Sequence, residues 1–142
     1  MKNSMLAIAG IAGCAAVAFA AAPEAGARSA NVQVVAMGAS ASSAAAGKSI
    51  YARCAACHAV APDGPRKLGP HMGGIVGRKA GVVNDARYSA AMKSSGVVWD
   101  RKTLDAFLLK PSDVVPGTSM SFGGIMNDQQ RAALIDYLAT LD

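Results

Sequence analysis

The pattern of apolar and polar positions divides this chain into three parts. From Met5 to Ala22 an unbroken apolar run of 18 residues follows Lys2, the pattern of an export signal rather than of a core element. Residues 23 to 46 then lose all periodicity. Their only charges are Glu24 and Arg28, Val32 to Val35 is a brief β-prone patch, and Ser40 to Ala46 contains nothing but Ala and Ser. Such a stretch reads as a flexible linker. Helical spacing begins after Gly47. Lys48 to Arg53 predicts a short helix with Ile50 and Tyr51 on its apolar side. Ser89 can cap a helix over Ala90 to Ser94 that Gly96 ends. Asp100 can cap another that carries Leu104, Phe107 and Leu108 on one face and stops at Pro111. Asn127 and Gln130 resemble a capping box ahead of Leu134, Ile135, Leu138 and Leu141 at helical spacing. Strand-type alternation is scarce, so the expected class is all-α, with four or five short helices joined by long loops.

Length and charge bound the reading further. The 142 residues hold one domain, and the expected division is a signal peptide over 1–22, the Ala/Ser-rich linker over 23–46 and the folded domain over 47–142. Ala18-Phe19-Ala20 offers a cleavage site. The apolar run reaches the lower length limit for a membrane span, but half of it is alanine and it carries two glycines. Two other readings stay open: lipidation of Cys14, which ends Ile11-Ala12-Gly13-Cys14, and an uncleaved signal-anchor. Either would tether the domain to the membrane, and all three place it outside the cytoplasm. From Lys48 onward twelve Lys/Arg stand against eight Asp. That excess is too small, in a chain only 5% aromatic, to argue for nucleic acid.

The chemistry is concentrated in Cys54-Ala55-Ala56-Cys57-His58. Two cysteines three apart with histidine directly after the second form the pattern of covalent c-type haem attachment. Two thiols add across the two vinyl groups, and the adjacent imidazole lies under the porphyrin, where it can ligate iron. A tetrahedral zinc site wants four ligands; Cys54, Cys57 and His71 would supply three, with His58 too close to Cys57 to complete the set. A redox dithiol wants a βαβ context that is lacking. The Gly- and Pro-rich run from Pro62 to Gly77 suits backbone wrapped closely round a flat ligand, and a haem would add apolar volume to a core that is otherwise small. A sixth ligand could come from Met72, Met92, Met120, Met126 or His71. Met120 stands out because Pro116-Gly117-Thr118-Ser119-Met120 reads as an extended loop that can cross a haem face, and a Met/His pair raises the potential of such a haem.

Over Gly47 to Leu141 the chain resembles class I cytochromes c, especially bacterial relatives of mitochondrial cytochrome c. The resemblance rests on Gly47-Lys48-x-Ile50-Tyr51, the Cys54 to His58 motif, Leu68-Gly69-Pro70, Gly77 to Gly81, Tyr88-Ser89, Trp99-Asp100, Pro116-Gly117-Thr118-x-Met120-x-Phe122 and Tyr137-Leu138, in family order. It implies a small monohaem cytochrome c fold with one haem c bound through Cys54 and Cys57, and His58 and Met120 as the iron ligands. Pro70 would accept from the His58 ring. Arg78, Tyr88, Ser89 and Trp99 would hold the haem propionates, Thr118 would bond the other propionate side, and Phe122 would screen the iron–sulfur bond. Gly47 and Tyr137 would mark a close crossing of the first and last helices. Two departures stand out: Phe107 sits where many relatives have a tyrosine, and no Lys or Arg occurs from Pro111 to Gln130. The implied function is that of a periplasmic one-electron carrier, not an enzyme, docking transiently with membrane electron-transfer complexes. An electron-accepting subunit of a periplasmic dehydrogenase and a haem peroxidase or gas-binding protein are the alternatives.

Overall fold

A computed structural model describes residues 43–141. The apolar leader, Cys14 and nearly all of the linker lie outside the described residues. Among the described residues five helices follow one another: α1 over 43–51, α2 Ala90–Ser94, α3 Arg101–Leu109, α4 Pro111–Val114 and α5 Asp128–Leu138.

The three side-chain caps read from the sequence form. Ser89 Oγ accepts from Met92 N at 3.1 Å, Asp100 from Thr103 N at 2.7 Å and Asn127 from Gln130 N at 2.9 Å, each occupying an N–H that the first turn leaves unpaired. Two expectations about bounds need correction. The first helix does not run from Lys48 to Arg53: it already includes residues 43–46, assigned above to the linker, and it gives way to tight turns after Tyr51. Alanine is the best helix former, and here Ser43 and Gly47, on either side of the Ala stretch, meet α5. The segment after Pro111 is not all loop either. Pro111 is the first residue of α4, because a proline that cannot continue one helix can begin the next, where its missing N–H has no partner to lose.

Packing positions these helices around one core. α3 lies against α5, and α4 folds back on α3. α1 crosses α5 so closely that a Cβ on Gly47 would overlap the Ala133 carbonyl and Tyr137 Cβ. The Tyr51 and Tyr137 rings meet beside that crossing, 5.5 Å apart at 59°. Asp136 of α5 accepts from Ser43 of α1 and from Arg101 of α3, joining three helices at one carboxylate. Leu134 and Val115 are the most deeply buried side chains; a fully buried leucine contributes roughly 1.5–3 kcal/mol. Among the described residues the β structure is a single antiparallel bridge, Lys79 to Val98. With Trp99 N donating to Arg78 O at 2.9 Å and Ala80 N to Val97 O at 2.8 Å, it clips the long loop to the start of α3.

Candidate functional site

The end of α1 passes directly into the cysteine motif. Ala55 N bonds Tyr51 O at 3.0 Å and His58 N bonds Cys54 O at 2.9 Å, so Cys54 and His58 are one helical turn apart. Tyr51 secures the far side: its hydroxyl donates to the His58 carbonyl at 3.1 Å, and burial pushes its pKa up to about 12. Lys67 donates to the Ala55 carbonyl inside the motif. Cys54 and Cys57 are half-buried and not in a disulfide.

His58 is set by its neighbours. Its Nδ1 lies 2.8 Å from the Pro70 carbonyl and can reach that acceptor only as an N–H donor. In the neutral ring the lone pair is then on Nε2, the nitrogen free to ligate. Burial, before the opposing effect of the Pro70 bond, holds the His58 pKa below the ordinary histidine value. Gly69 stands against the ring so tightly that any Cβ would overlap it, which fixes the plane of the imidazole from behind.

All of this opens on a cavity of about 310 Å³. Eleven of the residues singled out from the sequence lie on its wall: Cys54, Cys57, His58, Pro70, Arg78, Tyr88, Ser89, Trp99, Thr118, Met120 and Phe122. The rest is mainly apolar. Ile75 and Met92 come from the middle of the chain, Leu104, Phe107 and Leu108 from α3, and Leu134 and Leu138 from α5. No Asp or Glu is among the lining residues. Arg78 reaches its place through its own backbone contacts, donating to Gly73 O at 2.7 Å and His71 O at 2.8 Å; burial lowers its pKa. Ser89 already accepts from Met92 N, so its hydroxyl hydrogen stays available to an acceptor in the cavity. Burial raises the Tyr88 pKa, keeping the phenol a donor. Trp99 packs on Phe107 with ring centres 4.7 Å apart. Thr118 Oγ1 accepts from Met120 N at 3.3 Å.

The other candidates separate. Met72 and Met92 also line the cavity, whereas exposed Met126 does not. His71 faces a neighbouring cleft with Arg66, Lys67 and Asp85, so it does not join Cys54 and Cys57. Among the described residues no group of three or more His, Cys, Asp or Glu is placed to hold a metal ion. The site suits a haem on its own chemistry: two thiols and an imidazole on one wall, thioethers on the lining, and donors rather than carboxylates at Arg78, Tyr88 and Ser89. Tyr51 and Gly69 were not read from the sequence as parts of the site. Both stand in motifs that carry the resemblance, and the further signal was adjacency, Tyr51 three residues before Cys54 and Gly69 beside Pro70. Arg131 gave no signal at all.

Known proteins resemble the chain over this domain. A family model described as Cytochrome c matches residues 44–142. The chain is 48% identical over 92 residues to a cytochrome c homolog of Rickettsia typhi, covering 65% of this chain and 53% of that protein. It thus spans about half the length of that relative. It is 46% identical over 94 residues to cytochrome c2 of Rhodomicrobium vannielii, covering 66% of this chain and 75% of the relative. Among solved structures, cytochrome cH from Methylobacterium extorquens superposes with a TM-score of 0.64 at 40% identity, covering 68% of this chain and 97% of that one. No helix among the described residues is long and apolar enough to cross a membrane.

Proposed function

We propose a function for this chain from one premise: it belongs to the cytochrome c family and carries one haem c bound through Cys54 and Cys57. It is a periplasmic one-electron carrier in which His58 and Met120 would hold the haem iron. The haem supplies the redox step, exchange of one electron at its iron. The observation that carries this reading is the single apolar cavity that holds Cys54, Cys57, His58 and Met120 together.

The protein's own residues do the rest. Pro70 and Gly69 hold the imidazole in one tautomer and one plane, and the carbonyl bond raises the basicity of the ligating nitrogen. Arg78, Tyr88, Ser89, Trp99 and Thr118 supply donors for the haem carboxylates, which would be costly to bury unpaired. Phe122 and Phe107 keep water from the methionine side. With His58 and Met120 both available to hold the iron, a substrate would have no ready access to it, and this favours electron transfer over peroxidase or gas-binding chemistry. Exposed Arg53, Leu68, Arg87, Ser119 and Ser121 form the rim of the cavity. Its only charges are cationic, so the rim suits transient docking of an acidic face on a membrane electron-transfer complex. Over residues 1–42 the reading remains an export signal and a linker.

Met120→Ala tests the assignment. The haem-loaded variant should lose the spectroscopic signature of thioether ligation and gain affinity for carbon monoxide in the reduced state. A variant that retains the signature would show that Met72 or Met92 is the ligand.

A further inference from the structure

Among the described residues, Arg131 is the one charged side chain taken into the interior, with 5% of its surface exposed. It lies in the first turns of α5 and uses its whole guanidinium fork. Nη1 donates to the carbonyls of Ile125 at 2.8 Å and Met126 at 3.1 Å. Nε and Nη2 donate to Asp105 at 2.8 and 3.4 Å, and Nη2 also to Asp128 at 2.8 Å. The two carbonyls end the loop that carries Met120. That end is gripped from a second side as well. Ile125 N donates to Leu108 O at 2.9 Å, and Gly124, at φ +89°, sits where any Cβ would overlap the Leu109 carbonyl. Upstream, the bonds around Met120 are short-range ones, Thr118 N to Val115 O at 3.0 Å and Met120 N to Thr118 Oγ1 at 3.3 Å. Met120 and Phe122 also pack against the core, but among the described residues the long-range hydrogen bonds of the loop converge at residues 124–126. Asp105 carries it into α3, whose Leu104, Phe107 and Leu108 line the cavity.

We infer that Arg131 is a positioning residue for the axial methionine. By tying the end of the loop to α3 and α5 at once, it keeps the loop in the one conformation that presents Met120 to the cavity and resists replacement of that ligand. Only the guanidinium is buried, while Asp105 and Asp128 remain in reach of solvent; a loop arrangement that takes partners away from this buried charge leaves it uncompensated, which is costly. The planar fork meets two carbonyls and two carboxylates, and lysine, a point charge on a flexible stem, cannot reproduce it. The inference rests on Met120 being the ligand.

The test is imidazole binding to the ferric haem-loaded protein, followed by loss of the thioether signature. In this exchange a ring nitrogen donates its lone pair where the sulfur withdraws, and no electron is transferred. Arg131→Lys should bind imidazole about tenfold more tightly than the unaltered protein, the low end of what loss of a ligand's supporting partner costs. Asp105→Asn should shift affinity in the same direction by less, and if Arg131→Lys does not fold, this variant decides the question alone. Ser43→Ala, which loosens α1 from α5 without touching the loop, should lower Tm and leave imidazole affinity unchanged. Unchanged affinity in the Arg131 and Asp105 variants overturns the inference, as does an equal rise in Ser43→Ala. Met120→Ala separates the two claims: if it keeps the signature, the ligand assignment fails. If it loses the signature while Arg131→Lys binds imidazole normally, only the role of Arg131 fails.

Discussion

A side chain at position 69 would have nowhere to go, because the His58 ring occupies that space and the Pro70 carbonyl holds the ring in place. Gly69→Ala must therefore turn the imidazole or displace the backbone, a strain of about 1–3 kcal/mol. Denaturant unfolding of the haem-loaded protein should show the loss, and the His58 Nδ1–H resonance should move with it. At this scale the sequence is legible only where chemistry is local. Cys54, Cys57 and His58 are contiguous, so their meaning survives without a fold. Met120 could be preferred over Met92 and Met126 from its loop context, but nothing local separates a methionine that lines a cavity from one that faces water. Met72 and Met92 line the wall with Met120, and Met126 is 68% exposed. Arg131 was invisible for a related reason: its partner Asp105 is 26 residues away, and its other acceptors include backbone carbonyls.

The helices were legible where their stop and start signals are side chains in sequence. Ser89, Asp100 and Asn127 cap as read. Ser89→Ala should cost about 0.5–2 kcal/mol through the lost cap, measurable as a fall in the denaturant midpoint. The start of α1 was not legible, since an alanine run is compatible with linker and helix alike until a neighbour is present. Here α5 is that neighbour, and Gly47 lets the two backbones meet. Gly47→Val should destabilise by more than about 1 kcal/mol through overpacking, and thermal unfolding would report it. The same junction has a pH dependence. The Ser43 hydroxyl, and then Arg101, hold the Asp136 carboxyl below the ordinary aspartate range, against the opposing effect of burial. Its contribution is therefore present above an unfolded pKa of about 3.9 and is lost as pH falls through the lower folded value. Asp136→Asn should flatten this part of the acid limb in a plot of stability against pH and leave the slope at neutral pH unchanged.

At the scale of the molecule, charge is uneven around the cavity. Arg53 and Arg87 are exposed on its rim, whereas the Met120 side presents Ser119 and Ser121 and has no cation from Pro111 to Gln130. Association with anionic partners should be steered from one side and weaken as salt screens it. Small redox complexes test this without a natural partner. An anionic iron–cyanide complex should oxidise the reduced protein more slowly as ionic strength rises, and a cationic ruthenium–ammine complex should show the opposite trend. Arg53→Glu should reduce the rate with the anionic complex several-fold at low salt and leave the rate at high salt nearly unchanged. Equal salt dependence in both proteins would show that Arg53 lies away from the electron-transfer face.

The sequence by itself determined the covalent chemistry, the all-helical class and the caps, because each depends on residues within a few positions of one another. Tertiary structure alone decided which methionines reach the cavity, where α1 begins and what holds the Met120 loop. These depend on contacts made across the core between segments far apart in the chain, and such contacts exist only once α3 and α5 have closed round the cavity. Gly69 belongs to both accounts. Its place beside Pro70 could be read directly, but the reason it must be glycine is the His58 ring that the fold brings against it.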